Sequence, residues 1–335
     1  MREAMLYEKL EGEKVHCNLC AHRCLILPEK KGVCGVRENR EGTLYSLAYG
    51  KAIAANIDPI EKKPLFHFQP GTSSFSLATA GCNFRCKFCQ NWDISQLSKS
   101  WEGEFPGFDL SPEEIVKKAI ENNCASIAYT YTEPTIFFEY AYDTAKLAQK
   151  EGLKNVFVTN GYQTKETIEK MIGVIDAANI DLKSFRDKYY REICGARLEP
   201  VLEAIKLMHK ARIWIELTTL IVPEQNDSEE ELTDIAEFIA GIDKNIPWHI
   251  SRFHPNFQMT DSYPTPLETL EKAAEIGKKA GLNFVYLGNI PGHALESTYC
   301  PNCGEKVIER FGYSTKNRLD GNLCPRCAHE IPGMF

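Results

Sequence analysis

No stretch of the 335 residues stays apolar for the ~18 positions that a membrane-crossing helix needs, so no membrane partner is expected. Basic charge is not in excess either. Lys and Arg number 39 against 46 Asp and Glu, a net −7, which argues against a face built to bind nucleic acid through its phosphates. The amino-terminal run MREAMLYEKLEGEK is charged and lacks the apolar core of a secretion signal, so a cytoplasmic protein is expected. Internal repeats and low-complexity segments are absent. With 43% hydrophobic and 25% charged residues the composition is that of a globular chain, and wholesale disorder is excluded. The length allows two domains, or one large domain with small appendages.

Cysteine, by contrast, is abundant. Of 13 cysteines, 11 fall into three groups: Cys17, Cys20, Cys24 and Cys34; Cys82, Cys86 and Cys89; and Cys300, Cys303, Cys324 and Cys327. Cys124 and Cys194 stand alone and are read as small buried hydrophobes. An odd total with CxxC spacings, in a chain expected in a reducing compartment, points to metal or iron–sulfur ligation rather than to disulfides.

Between the outer groups, apolar runs alternate with helical patterns. Strands are expected at 74–79, 126–130, 155–159, 177–182, 213–222 and 249–253. Helices are expected at 111–122, 136–150, 164–173, 199–210, 228–240 and 265–280, three of them opened by Ser or Thr with Glu three residues on. Six strand–helix units with short links imply a parallel sheet, open or curled into a partial barrel. In a partial (βα)6 barrel, polar motifs gather at the C-terminal strand ends. Here GCNFRCKFCQN, TYTEPT, TNGY and DLK each follow a strand, and Glu216, Thr218, Thr219, Arg252 and His254 lie on or after the last two. The expected fold is therefore α/β: a partial (βα)6 barrel over residues 71–290, a Cys-rich extension at 1–70 and a four-Cys tail at 291–335.

The Cx3Cx2C triplet carries the most chemistry. Three thiolates on one short loop can hold three irons of a [4Fe–4S] cube and leave the fourth iron open, where full ferredoxin sites use four cysteines. A zinc site completed by a distant residue is the bland alternative, although zinc ligands usually arrive as CxxC pairs. Gly81 is expected to admit a close approach of backbone to cluster, and Phe88 to lie against a flat ligand ring.

These motifs resemble the radical S-adenosylmethionine (radical SAM) superfamily. With TYTEPT, TNGY and IDLK at successive strand ends, the chain is similar to the pyruvate formate-lyase-activating enzyme group, in particular the radical SAM enzyme of the AmmeMemoRadiSam system. The resemblance implies catalytic Cys82, Cys86 and Cys89 holding a [4Fe–4S] cluster that binds S-adenosylmethionine, an oxygen-sensitive oxidoreductase chemistry based on a 5′-deoxyadenosyl radical, and a low-potential electron donor of ferredoxin or flavodoxin type. It also implies a protein or peptide substrate, with a small molecule as the alternative. Related enzymes hold the SAM ammonium with a Gly-Gly-Glu stretch; here the matching place reads Thr132-Glu133-Pro134, which keeps only the acid. Cofactor contacts are expected from Phe88, Thr130, Glu133, Asn160, Gly161, Asp181 and Lys183. Asp181 and Lys183 alternate along one strand and so share a face. Arg197, Glu216, Arg252 and His254 are weaker candidates that either face ligand or pair with one another.

CPNCG (300–304) and CPRC (324–327) make an S4 knuckle, for which zinc and a single iron both suit. Residues 300–335 carry a net charge of only +1, so a zinc ribbon that binds nucleic acid is not favoured. The N-terminal group is expected to hold zinc, iron or an auxiliary iron–sulfur cluster. Two other functions compete with the enzyme: a multi-centre iron–sulfur electron-transfer protein, and a zinc-ribbon binding protein on a barrel scaffold.

Overall fold

Strands buried on both faces can pair only inside a sheet covered by helices, and the central runs are of this kind. Ser126–Tyr129 is buried at every position, and Ala177–Asp181 at all but its last. A computed structural model, describing residues 1–101 and 103–335, assembles them into an eight-stranded sheet. Its strands are β1 (Ala54–Pro59), β2 (Ser73–Ala78), β3 (Ser126–Tyr129), β4 (Lys154–Thr159), β5 (Ala177–Asp181), β6 (Trp214–Ile221), β7 (Trp248–Arg252) and β8 (Val285–Gly288), and the spatial order is the chain order.

β2 to β8 run parallel, and β1 pairs antiparallel with β2. One helix of seven or more residues lies between each pair of successive parallel strands: α1 (Pro112–Glu121), α2 (Phe138–Lys150), α3 (Lys165–Met171), α4 (Glu199–Lys210), α5 (Glu229–Ile242) and α6 (Leu267–Lys279). Right-handed crossovers between neighbouring strands put all of these helices on one face, which curls the sheet into a partial barrel. Among the described residues β1 and β8 have no outer partner, so the barrel is open along one side.

The six expected strand–helix units are all present, and β8 adds a seventh parallel strand that the sequence reading missed. The sheet also reaches beyond 71–290, because β1 comes from the N-terminal stretch. Helix starts follow the local chemistry: Ser111 and Glu114 form the reciprocal cap of α1. Thr265 does not cap α6 as expected; its hydroxyl is buried, accepts from Phe253 N and donates to Ile221 O.

Before β1, two small antiparallel sheets carry the first cysteine group: Tyr7–Lys9, Val15–Cys17 and Leu25–Ile26; and Arg2–Glu3, Arg37–Arg40 and Thr43–Ser46. After β8, Thr298–Tyr299, Lys306–Phe311 and Ser314–Asn317 form a third, with the last cysteine group at its turns.

Candidate active site

The loop after β2 must turn sharply to aim three thiols inward. Gly81 makes that turn at φ +108°, and a Cβ there would stand 2.5 Å from Ser98 Oγ and 2.8 Å from Val36 Cγ1. The packing of Ser98, Val36 and Ile136 against this loop therefore requires the glycine. The loop is pinned on the far side by Arg85 N to Cys194 O (2.8 Å) and Lys87 N to Ile193 O (3.0 Å), so Cys194 supports the triplet from behind.

Cys82, Cys86 and Cys89 open onto a cavity of about 490 Å³ at the C-terminal ends of the strands. That size lies within the range of small-molecule sites. Phe88, Thr130, Glu133, Asn160, Asp181 and Lys183 line it too, so six of the seven expected contact residues meet there. Gly161 does not; at φ +70° it packs toward Ile180 and Val201 in the core.

Glu133, 1% exposed, ties two strand ends together. Its Oε1 accepts from Thr135 N (3.0 Å), Thr135 Oγ1 (2.5 Å) and Thr159 Oγ1 (2.7 Å), while Oε2 accepts only from Asn160 N (2.8 Å). Burial pushes its pKa up against those four donors. Lys183 Nζ is 2.8 Å from Asp181 Oδ2 and 5.7 Å from the centre of the Phe88 ring. Burial works against its charge, but Asp181 and Cys86 outweigh it and hold the pKa well above the ordinary lysine value. For Cys86 the neighbouring Cys194 thiol and burial push the pKa up; for Cys82 and Cys89 burial leads.

Opposite the triplet lies a cluster that sequence reasoning missed. Lys62, Lys63 and Tyr131 line the same cavity. Lys63 Nζ is 2.7 Å from Asp58 Oδ2 and stands 4.5 Å over the Tyr131 ring, and the Tyr131 hydroxyl donates to the same carboxylate. Burial brings Lys63 down to about 8. Tyr131 holds φ +62°, in the left-handed region, and its carbonyl accepts from Asn91 Nδ2 (2.7 Å). The signal available in sequence was the Lys62-Lys63-Pro64 run.

The weaker candidates lie elsewhere. Glu216 is at the opposite end of the barrel, where it accepts from Phe66 N, His67 N, Trp214 Nε1 and His249 Nε2. Arg197 reaches Ala21 O, Arg252 reaches Thr265 O and His254 is exposed.

Residues 76–239 match the radical SAM superfamily. The chain belongs to that superfamily and is similar to its activating enzymes. This radical SAM chain is 50% identical over 335 residues to an uncharacterised protein of Methanocaldococcus jannaschii, covering 99% of both. It is 24% identical over 168 residues to the pyruvate formate-lyase-activating enzyme of Clostridium pasteurianum, covering 48% of this chain and 67% of the relative. It is 23% identical over 215 residues to the benzylsuccinate synthase activating enzyme of Thauera aromatica, covering 56% and 63%. A radical SAM methyltransferase from Sphaerobacter thermophilus shares the fold with a TM-score of 0.52 at 13% identity, over 66% of this chain and 67% of that one.

Radical SAM membership implies a [4Fe–4S] cluster and S-adenosylmethionine, and the donor set fits them. Among the described residues only Cys300, Cys303, Cys324 and Cys327 gather within 4.8 Å as a one-ion set. The central thiols share one cavity and do not form such a one-ion set. In the C-terminal set, Sγ–Sγ distances of 3.6 Å (Cys300–Cys327) and 3.7 Å (Cys303–Cys324) match the edge of a tetrahedron about an ion at ~2.3 Å. A hydrogen bond from Asn302 lowers Cys327 to about 6, which favours the thiolate that binds metal.

Proposed function

We propose that the cavity binds a [4Fe–4S] cluster on Cys82, Cys86 and Cys89 with S-adenosylmethionine beside it, and that the molecule acted on is a protein or peptide. Together these groups supply one-electron cleavage of the sulfonium and a 5′-deoxyadenosyl radical that takes hydrogen from a substrate. The observation that carries the reading is the meeting, in one cavity, of three thiols with acidic, amide and basic groups from the next three strand ends.

Each protein group has a role it can fill. Glu133 Oε2, with a single donor, has acceptor capacity left for an ammonium. Lys183 keeps its charge and suits a carboxylate. Asp181 fixes the lysine, and Asn160, whose Nδ2 donates to Asn83 Oδ1 at 2.7 Å, ties the fourth strand end to the cysteine loop. A low-potential electron donor of ferredoxin or flavodoxin type fits the electron demand. The C-terminal knuckle fits one zinc or iron ion.

Two things support a protein substrate. The barrel is open along one side, which leaves room for a loop or peptide, and the relatives are named for activating other enzymes. The test is anaerobic: reconstitute with iron and sulfide, add S-adenosylmethionine and dithionite, and assay 5′-deoxyadenosine for the wild type and for Cys86→Ala. Product from the wild type alone supports the reading, and label transfer from candidate partner proteins then separates protein from small-molecule substrates. A cluster present without SAM binding or product sinks it and promotes the electron-transfer alternative.

A further inference from the structure

Successive side chains of the cysteine loop turn to opposite sides. Phe84, Cys86 and Phe88 line the cavity described above, whereas Arg85 and Lys87 line a separate groove of about 690 Å³ on the outer side of the same loop. The cavity and the groove share no lining residue, so the loop is a wall between them. That wall is thin. Cys86 stands between Arg85 and Lys87, one main-chain step of about 3.8 Å from each.

The groove is basic on an acidic molecule. Arg85, Lys87, Lys99 and Arg191 line it against Glu192 alone, and the cations stay two in excess when Asp187, which accepts from Arg191 Nε at 2.5 Å, is counted. The whole chain carries −7. The groove is also built in advance. Lys99 Nζ donates to Phe84 O (2.6 Å), Gln258 N donates to Lys87 O (2.9 Å), and the 193–194 main chain accepts from Arg85 N and Lys87 N. An aromatic pair lies beside the cations: Phe257, which lines the groove, stacks on Trp92 at 5.1 Å between ring centres, and Trp92 is 44% exposed. Cations around an exposed aromatic make a surface suited to a protein partner with a carboxylate-rich face.

Position decides what that partner does. A molecule in the groove is walled off from the cavity and cannot present a hydrogen to it, but it lies against the backbone that carries a ligating thiol. We propose that the groove lined by Arg85, Lys87, Lys99 and Arg191 is the docking surface for an acidic protein that carries a low-potential one-electron group. The proposal rests on the reading of Cys82, Cys86 and Cys89 as cluster ligands. The carrier is oxidised by one electron and the group on the three thiols is reduced by one; no bond forms or breaks and no proton moves. Elsewhere the net negative charge of the chain repels such a carrier, so the groove steers it to the one wall through which the electron has a short way to go. Electron-transfer encounters bury little surface, as a partner that must leave after each delivery requires. Docking outside the wall also leaves the cavity mouth free for substrate.

The test uses the full chain reconstituted anaerobically with iron and sulfide, and two probes: an acidic flavodoxin and an acidic ferredoxin. Treatment of each mixture with a carbodiimide, which joins amines to carboxylates in contact, is expected to link Lys87 to the carrier in peptide maps. The double variant Arg85→Glu with Arg191→Glu is expected to slow bleaching of the visible absorption by the reduced carriers about tenfold or more at about 20 mM salt, and to leave bleaching by dithionite at the wild-type rate. Raising salt to about 300 mM should slow the wild type by a similar factor and the variant little. Cross-links confined to lysines outside the groove, no reduction of the wild type by either carrier, or a variant reduced by both at the wild-type rate overturns the proposal. If the variant does not fold, the wild type decides: links elsewhere, or a rate indifferent to salt, overturns it. The SAM reading fails separately, when the wild type reduced by dithionite makes no 5′-deoxyadenosine.

Discussion

Lys183 shows how a buried cation is kept charged. Its side chain is 12% exposed and its ammonium has Asp181 at 2.8 Å, so it presents a fixed positive group to the cavity. Replacing it with methionine keeps much of the stem and removes the charge. A hydrogen bond to a charged group is worth about 1.5–3 kcal/mol, so Lys183→Met should weaken S-adenosylmethionine binding about 10- to 100-fold in equilibrium binding assays. Arg37 and Glu139 form a second buried pair, each 2% exposed, with Met5 N and O completing it. Glu139→Ala leaves an uncompensated guanidinium and should cost about 3–5 kcal/mol in urea denaturation, much of it recovered when Arg37→Met is added. At this scale the sequence was legible where alternation decides direction, as with Asp181 and Lys183. It misplaced Glu216. Glu216 and Thr218 are two residues apart on one strand, a step of about 7 Å, and that step separates the plugged end of the barrel from the cavity. Side-chain period gives the face but not the depth.

At the scale of elements, the strands β2 to β7 were readable because each is a run of apolar or β-branched residues bounded by turn signals. β8 was not, since its four residues between Phe284 and Asn289 are too few for a period to show. β1 was hidden for another reason: its exposure pattern is mixed, and only its pairing with β2 brings Lys62, Lys63 and Asp58 to the mouth. The left-handed Tyr131 has no signature in its residue type. The C-terminal element rests on its four thiols, because its apolar cluster holds few buried residues beyond Val307, Ile308 and Ile331 and the cysteines themselves. Stripping the metal with a strong chelator under reducing conditions should open it. Limited proteolysis is expected to cut first between Cys300 and Cys327 while residues 71–290 stay intact.

Over the whole molecule, one buried polar network closes the far end of the barrel. His67 Nδ1 donates to Pro332 O (2.7 Å), its Nε2 accepts from the Tyr286 hydroxyl (2.6 Å), and that hydroxyl is 2.8 Å from Thr298 Oγ1. The neutral imidazole satisfies both contacts, and burial lowers its pKa to about 4. Between pH 6.5 and 4 the unfolded chain binds a proton that the native His67 refuses. Its contribution is therefore complete above pH 6.5 and is lost as pH falls toward 4, by up to about 3 kcal/mol. His67→Gln should flatten the pH dependence of the denaturation midpoint across that window.

The same plug governs traffic. With Glu216, His249, His67 and Tyr286 filling one end, nothing enters the cavity from there, and under the proposed function cofactor, substrate and spent fragments would share the mouth at the other end and the open side of the barrel. A protein substrate of the kind proposed would, seated over that mouth, seal in whatever arrived before it. Small molecules would then have to bind first and leave last, and the lifetime of that complex would set how long the interior stays sealed from its surroundings.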